Sequence, residues 1–128
     1  MTAQVLVVED TPANMKLVSM LLGKAGYRVL QANNAGDGIA LAREYAPDLI
    51  LMDIQLPGMD GLEATRLLKQ DAATRSIRVI ALTAFAMKGD EEKMMAAGCD
   101  GYIAKPIQYR SFLDTVERML ASPPTERK

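Results

Sequence analysis

The stretch DLILMDIQLPGMDG, Asp48 to Gly61, places an unbroken apolar run directly before a carboxylate. Leu49–Met52 are apolar without polar alternation, which is typical of a short strand that is buried on both faces. Asp53 follows the run at once, and the Pro57-Gly58 dipeptide then indicates a turn. A strand covered on both faces belongs to a parallel sheet between two layers of helices. The segment therefore predicts an α/β fold with an acid at the tip of a central strand.

Other short apolar runs recur along the chain at intervals of roughly 20 to 30 residues. They are Val5–Val8, Tyr27–Ala32, Val79–Leu82 and Tyr102–Ala104. The alternation of apolar and polar residues in Tyr27–Ala32 favours an edge strand, whereas the continuous runs favour central ones. The regular succession of strands and connecting segments predicts a doubly wound parallel sheet with helices on both faces.

Helical spacing and composition predict the connecting segments. Apolar side chains share one helix face in the first and the last segment, as Met15, Val18, Leu21, Leu22 and Ala25, and as Phe112, Val116, Met119 and Leu120. Three further helices are predicted at Ala35–Tyr45, Gly61–Gln70 and Gly89–Gly98, where Gly98 is expected to end the helix.

Composition limits the class of protein. The 128 residues fit one domain, and 15 basic against 16 acidic residues give a formal charge of −1, which favours neither nucleic acid nor anionic lipid. No apolar run approaches the ~20 residues that span a membrane. The single cysteine, Cys99, excludes a disulfide framework and predicts a small buried side chain in a cytoplasmic protein. The absence of histidine excludes the usual zinc sites and histidine-based acid–base catalysis.

Polar residues follow the predicted strands at their carboxyl ends, where ligands bind in doubly wound sheets. Glu9 and Asp10 follow the first strand, Asp53 the third, Thr83 the fourth and Lys105 the fifth. Any one of them has a structural explanation; an aspartate at position 10, for example, could cap the next helix. All of them together predict a site. Two carboxylates ~4 Å apart repel by about 4 kcal/mol at an effective dielectric constant of ~20, so the acids need a cation or protons.

A hard-oxygen ligand set without histidine or a cysteine pair favours Mg²⁺. Magnesium in proteins prefers one or two carboxylates together with phosphate oxygens, and a carboxylate is an established acceptor of phosphoryl groups. The cluster therefore predicts phosphoryl chemistry. Lys105 and the metal would neutralise the transferring group, and Thr83 would donate a hydrogen bond to one of its oxygens.

Four segments together resemble the response-regulator receiver domains of two-component signalling. They are VLVVEDTPANMKLV (5–18), PDLILMDIQLPGMDGLE (47–63), VIALTAFAMKGDEEK (79–93) and AGCDGYIAKPI (97–107). The resemblance covers about residues 3–121. It implies a flavodoxin-like (βα)5 domain with strand order 2-1-3-4-5 over residues 1–121, and we expect 122–128 to be a flexible tail.

The resemblance implies that Asp53 accepts a phosphoryl group from a histidine kinase or a histidine phosphotransfer protein. The Mg²⁺ ligands would then be Glu9, Asp10, Asp53 and the backbone carbonyl of Gln55. Lys105 would be the family's lysine, and its bond to Pro106 would be a cis peptide.

The resemblance also implies a switch rather than an enzyme that turns over substrate. Thr83 would move towards the phosphoryl group and Tyr102 would follow it, which would change the protein-binding face formed by the fourth helix, fifth strand and fifth helix. Such a domain promotes its own phosphorylation and dephosphorylation. Within the family, TAFAMKGDEEK resembles the DivK-type single-domain regulators, and the alternative is a receiver domain cut from a hybrid histidine kinase.

Three different classes of protein fit the sequence less well. A flavin-binding electron carrier needs a hydroxyl- and glycine-rich phosphate loop, but EDTPAN (9–14) offers acids instead. A Mg²⁺-dependent phosphatase needs a second acid two residues after the nucleophile, where Gln55 stands. A scaffold that is not phosphorylated would have no use for the full acidic and lysine set.

In the fourth helix, Met94 and Met95 are either core residues or an adaptable binding surface. The charges of KGDEEK (88–93) are explained by solvation.

Overall fold

The computed structural model describes residues 2–84 and 88–121. The five strands are β1 Gln4–Val8, β2 Arg28–Ala32, β3 Leu49–Asp53, β4 Arg78–Thr83 and β5 Gly101–Ala104. The five helices are α1 Pro12–Lys24, α2 Ala35–Tyr45, α3 Gly61–Gln70, α4 Lys88–Ala97 and α5 Tyr109–Ala121. The order of these elements confirms the predicted strand–helix alternation. The tail at 122–128 and part of TAFAMKGDEEK lie outside the described residues.

All strand pairs are parallel, and the sheet order is β2-β1-β3-β4-β5. This confirms the expected α/β doubly wound order 2-1-3-4-5, with Tyr27–Ala32 contributing an edge strand. Every residue of Leu49–Asp53 is buried. The opening segment is therefore the centre of the sheet, as its composition predicts.

Strand side chains alternate between two apolar cores, one on each face of the sheet. One core joins α1 and α5 to the sheet through Val18, Leu22 and Phe112, which pack with Leu49 and Leu51. The other joins α2, α3 and α4 to the sheet through Ala42, Leu68 and Met94, which pack with Ile50 and Met52. A continuous apolar strand can serve both layers because successive side chains point to opposite faces.

The ends of the helices follow local sequence signals. Asn34 and Asp60 cap α2 and α3, each accepting a hydrogen bond from the backbone N–H three residues on. Gly98 follows the last residue of α4 with a φ of 106°, which confirms it as the helix stop. The residue before α1 is Thr11, whose side chain makes no capping hydrogen bond. Asp10 is thus not the cap of α1, and the capping explanation for this aspartate is wrong.

Burial decides the roles of the cysteine and of the two methionines of α4. Cys99 is buried, as predicted, and its thiol lies 4.0 Å from the Thr65 hydroxyl oxygen. Met94 is a core residue, whereas Met95 is exposed. None of the helices in the described part of the chain has the length and apolar composition that crossing a bilayer requires.

Candidate functional site

Three carboxylates meet at the carboxyl edge of the sheet. Glu9 and Asp10 follow β1, Asp53 ends β3, and one oxygen from each lies within 4.8 Å of those of the other two. The register explains this proximity, since Val8 of β1 pairs with Met52 of β3 and the next residue of each strand is an acid. The strands therefore hold Glu9 and Asp53 side by side. Asp10 is exposed, whereas only 1% of the surface of Glu9 and 2% of that of Asp53 is accessible to solvent.

Lys105 supplies the positive charge of this cluster. Its Nζ lies 3.2 Å from Glu9 Oε1 and 3.3 Å from Asp53 Oδ2. The residue reaches the site because Lys105 donates its backbone N–H to the carbonyl of Thr83 at 2.7 Å, which continues the pairing of β4 with β5. The Lys105-Pro106 peptide is cis, as predicted. One ammonium thus pairs with two of the three carboxylates, and the formal charge of the cluster stays negative.

The backbone around Asp53 fixes its side chain. The N–H of Gln55 donates to Asp53 Oδ1 at 3.0 Å. Gly61, the first residue of α3, packs so closely that a Cβ there would lie 2.2 Å from the Asp53 carbonyl oxygen. Both contacts restrict the loop that follows β3. They leave Asp53 Oδ2 on the side of Lys105 and the other acids.

The pKa of Asp53 is raised above its ordinary value. Burial is the largest cause, and the neighbouring Glu9 carboxyl also raises the pKa, while the Gln55 N–H and the Lys105 ammonium lower it. Without a further cation, the site therefore disfavours the ionised form of Asp53.

The hydrogen bonding of the Glu9 carboxylate indicates whether a divalent metal ion fits the site. Its Oε2 accepts the Thr11 N–H at 3.1 Å, but its buried Oε1 has no hydrogen-bond partner in the described chain, although the Lys105 ammonium lies near it. A buried carboxylate oxygen without a hydrogen bond is costly unless something else compensates its charge. The donor set consists of hard carboxylate oxygens, which suits Mg²⁺. The residues present therefore fit a divalent cation.

Thr83 ends β4, the strand next to β3, and it is 2% exposed. It belongs to the same edge of the sheet as Asp53 because Leu82 pairs with Asp53 and Thr83 follows it. The structure thus places a buried hydroxyl residue at the same edge of the sheet as the acidic cluster, as the strand ends predict.

Tyr102 is the one predicted site residue that the structure does not bring to the acids. Its side chain is 36% exposed, and its hydroxyl donates to Glu91 Oε2 of α4 at 2.5 Å. The hydrogen bond to Glu91 is the main cause of a raised Tyr102 pKa. Sequence reasoning treated Glu91 as one of several solvated charges and so missed this contact. Its position in the first turn of α4 does not single it out, because Asp90 lies in the same turn, and four other charged residues stand in the same segment.

The fold and the site together define a receiver domain of the response regulators, and the sequence comparison agrees. The profile of the response regulator receiver domain family matches residues 5–117. The chain belongs to this family, whose members act in two-component signalling with histidine kinases and downstream proteins.

Individual relatives indicate which kind of response regulator this chain resembles. The chain is 50% identical over 120 residues to the polar-differentiation response regulator DivK of Brucella ovis, which covers 94% of this chain and 98% of the relative. DivK of Brucella anthropi matches equally well, at 50% identity over 120 residues with the same coverage of 94% and 98%.

Solved structures share the fold. The receiver domain of the sensor histidine kinase PA1611 from Pseudomonas aeruginosa PAO1 has a TM-score of 0.88 at 34% identity, and the match covers 95% of this chain and 100% of that one. That structure holds a magnesium ion in its active-site cleft. The chemotaxis response regulator CheY4 of Vibrio cholerae has a TM-score of 0.89 at 27% identity, covering 93% of this chain and 99% of that one.

Proposed function

We propose that this chain is a phosphoacceptor switch, in which Asp53 takes a phosphoryl group from a histidine kinase or a histidine phosphotransfer protein. The observation that carries the proposal is the meeting of three carboxylates within 4.8 Å, with the Lys105 ammonium 3.3 Å from Asp53. A fold needs no such repulsion for its stability, whereas a site for a cation and a phosphoryl group requires this arrangement.

Glu9, Asp10, Asp53 and the backbone carbonyl of Gln55 would hold Mg²⁺. Two observations support this assignment: Glu9 Oε1 accepts no hydrogen bond, although the Lys105 ammonium lies 3.2 Å from it, and the donor set consists of hard oxygens. When bound, Mg²⁺ would offset the charge of the acids and of the phosphoryl oxygens. The magnesium in the active-site cleft of the PA1611 receiver domain supports the same cation.

The transfer step conserves charge and atoms. A carboxylate oxygen of Asp53 attacks the phosphorus of the donor's phosphohistidine, the P–N bond breaks, and the electron pair leaves with the imidazole nitrogen. The product is an acyl phosphate on Asp53. Lys105 stabilises the equatorial oxygens, and the Gln55 N–H holds the Asp53 oxygen that remains a carbonyl. Dephosphorylation is a separate hydrolysis: the oxygen of a water molecule attacks phosphorus, the bond between phosphorus and the Asp53 oxygen breaks, and the carboxylate is restored while inorganic phosphate leaves with the protons of the water. The chain promotes both of its own reactions and has no other substrate.

The phosphoryl group would act on the surface through Thr83 and Tyr102. It brings about −1.5 to −2 charges, on the scale of a phosphoester, next to a buried hydroxyl. Thr83 would donate to a phosphoryl oxygen, and Tyr102 would turn inward from its exposed position. The face formed by α4, β5 and α5 would then change its affinity for a downstream protein.

The relatives favour a single-domain regulator of the DivK type. The match covers 98% of the length of the polar-differentiation response regulator DivK from Brucella ovis. The alternative, a receiver domain cut from a hybrid histidine kinase, is supported by the likeness to the PA1611 receiver domain. In either case we place the domain in the cytoplasm, acting on proteins and not directly on nucleic acid or membrane.

Phosphorylation of the purified chain by a small phosphodonor tests the proposal. With acetyl phosphate and Mg²⁺, intact mass should increase by one phosphoryl group, and Asp53→Asn or chelation of the metal should abolish the increase. Asp114→Asn is the matched control, since Asp114 is exposed on α5, and it should be labelled as well as the wild type. Equal labelling of Asp53→Asn and wild type would show that Asp53 is not the acceptor.

A further inference from the structure

Glu91 and Tyr102 form a contact that the switch described above does not explain. They lie 11 residues apart in different elements, and the tyrosine hydroxyl donates to the carboxylate at 2.5 Å. A hydrogen bond to an ionised acceptor is stronger than a neutral one and fixes its donor more tightly. The bond therefore ties the ring of β5 to the first turn of α4.

The exposure of the Tyr102 ring shows what this bond opposes. The side chain is 36% exposed, although burial of an aromatic ring lowers the free energy of the protein. An interaction that is available only in the outward position is needed to offset this preference for burial. The hydrogen bond to Glu91 is such an interaction, since it requires the hydroxyl to reach α4.

The neighbouring acid makes no comparable contact. Glu92 is exposed, and it has no hydrogen bond or ion pair with any residue in 2–84 or 88–121. Both acids lie near the start of α4, where a negative charge favours the helix. What distinguishes Glu91 from Glu92 is the hydroxyl of Tyr102.

We propose that Glu91 is a positioning residue that holds Tyr102 outward in the unphosphorylated protein and thereby sets the threshold of the switch. This inference rests on the proposed function, because it assumes that the phosphorylated state prefers Tyr102 inward. If the inward state is a minor one, the apparent affinity for a phosphoryl group or its mimic equals the intrinsic affinity of the inward state multiplied by the inward fraction. Loss of the Glu91 bond raises that fraction, so the mimic should act at lower concentration.

The test uses beryllofluoride, which mimics the phosphoryl group on a carboxylate, together with Mg²⁺. The full chain is labelled with 3-fluorotyrosine, and the ¹⁹F resonance of Tyr102 is assigned by its loss in Tyr102→Phe, since the chain has 4 tyrosines. Titration with beryllofluoride then gives the midpoint at which the Tyr102 resonance changes from the outward to the inward position.

We expect Glu91→Ala to lower this midpoint by about threefold to tenfold, as the loss of one hydrogen bond predicts. Glu91→Gln keeps a neutral acceptor and should give an intermediate midpoint. The matched control, Glu92→Ala, removes the same charge one residue further along and should keep the wild-type midpoint. Even without beryllofluoride, Glu91→Ala should shift the Tyr102 resonance, and Glu92→Ala should not.

The outcomes separate the two proposals. If wild-type Tyr102 responds to beryllofluoride but Glu91→Ala and Glu92→Ala have equal midpoints, the role of Glu91 is refuted and the switch remains. If wild-type Tyr102 does not respond although beryllofluoride binds, the switch itself is refuted, and the threshold role of Glu91 with it. An unchanged Tyr102 resonance in unliganded Glu91→Ala would refute the positioning role directly.

Discussion

At the scale of single residues, the geometry of the loop that follows Asp53, the proposed phosphoacceptor, depends on a glycine. Gly61 donates its N–H to the carbonyl of Ile54 at 3.0 Å and packs against the carbonyl of Asp53. There is no room for a side chain at that position. The N-terminus of α3 can approach the end of β3 only because residue 61 lacks a Cβ.

Gly61→Ala should therefore destabilise the protein by about 2 kcal/mol or more, because its Cβ would lie 2.2 Å from a backbone oxygen that cannot rotate away. It should also slow the labelling of Asp53 by acetyl phosphate, since relief of the clash moves the backbone next to the proposed acceptor. Urea unfolding and intact-mass labelling measure the two effects.

Gly23→Ala is the control for this substitution. Gly23 lies in α1, and a Cβ added there would meet no atom within 4 Å, so alanine should stabilise the helix by about 0.4–1 kcal/mol. If Gly61→Ala and Gly23→Ala shift the urea midpoint in the same direction, the close packing at Gly61 has no energetic consequence.

At the scale of elements, the helices differ in how their first turns are satisfied. Asn34 accepts the N–H of Asp37 at 2.8 Å and so caps α2. Thr11 precedes α1 without any such bond, and its own N–H is donated to Glu9 in the acidic cluster. The start of α1 thus serves the site rather than the helix.

Replacing Asn34 and Thr11 by alanine should reveal this difference in capping. Asn34→Ala should cost about 1 kcal/mol of unfolding free energy, because it leaves a backbone N–H of α2 without its acceptor. Thr11→Ala should cost less than about 0.5 kcal/mol, since no capping bond is lost. Urea unfolding monitored by circular dichroism compares them, and equal losses would contradict the assigned caps.

At the scale of the whole molecule, a half-buried ion pair joins elements at the edge of the sheet opposite the acidic cluster. Lys69 of α3 donates to the carbonyl of Ile77 at 2.8 Å and to Asp100 Oδ2 at 3.0 Å. Asp100 Oδ2 also accepts the N–H of Val79 at 2.9 Å. One ammonium thus links α3 with the starts of β4 and β5.

Lys69→Met keeps the aliphatic stem of the lysine but removes these bonds. We expect a loss of about 1–3 kcal/mol, because the Ile77 carbonyl and the Asp100 carboxylate lose a charged donor in a partly buried position. Lys93→Met is the control, since Lys93 is exposed on α4, and its effect should stay within about 0.5 kcal/mol. Equal urea midpoints for the two variants would show that the pair does not contribute to stability.

Much of this architecture was predictable from the sequence. The bounds of α2 and α3 match the predicted Ala35–Tyr45 and Gly61–Gln70, and the apolar runs mark all five strands to within one residue at each end. The strand order, in contrast, rests partly on the family resemblance, because the apolar runs distinguish central from edge strands but do not fix which strands pair. The acids were predictable because parallel strands end at a common edge.

What the sequence determined by itself is the set of elements and the chemistry at their ends, since apolar periodicity and terminal residues act within a few positions along the chain. What only the tertiary structure decided is which atoms meet. The N–H of Gln55 donates a hydrogen bond to the Asp53 carboxylate. Gly61 leaves room for the Asp53 carbonyl oxygen because it lacks a Cβ. Glu91 accepts a hydrogen bond from the Tyr102 hydroxyl. These contacts depend on packing between elements, where shifts of an ångström decide whether a hydrogen bond forms, and no local pattern in the chain encodes such distances.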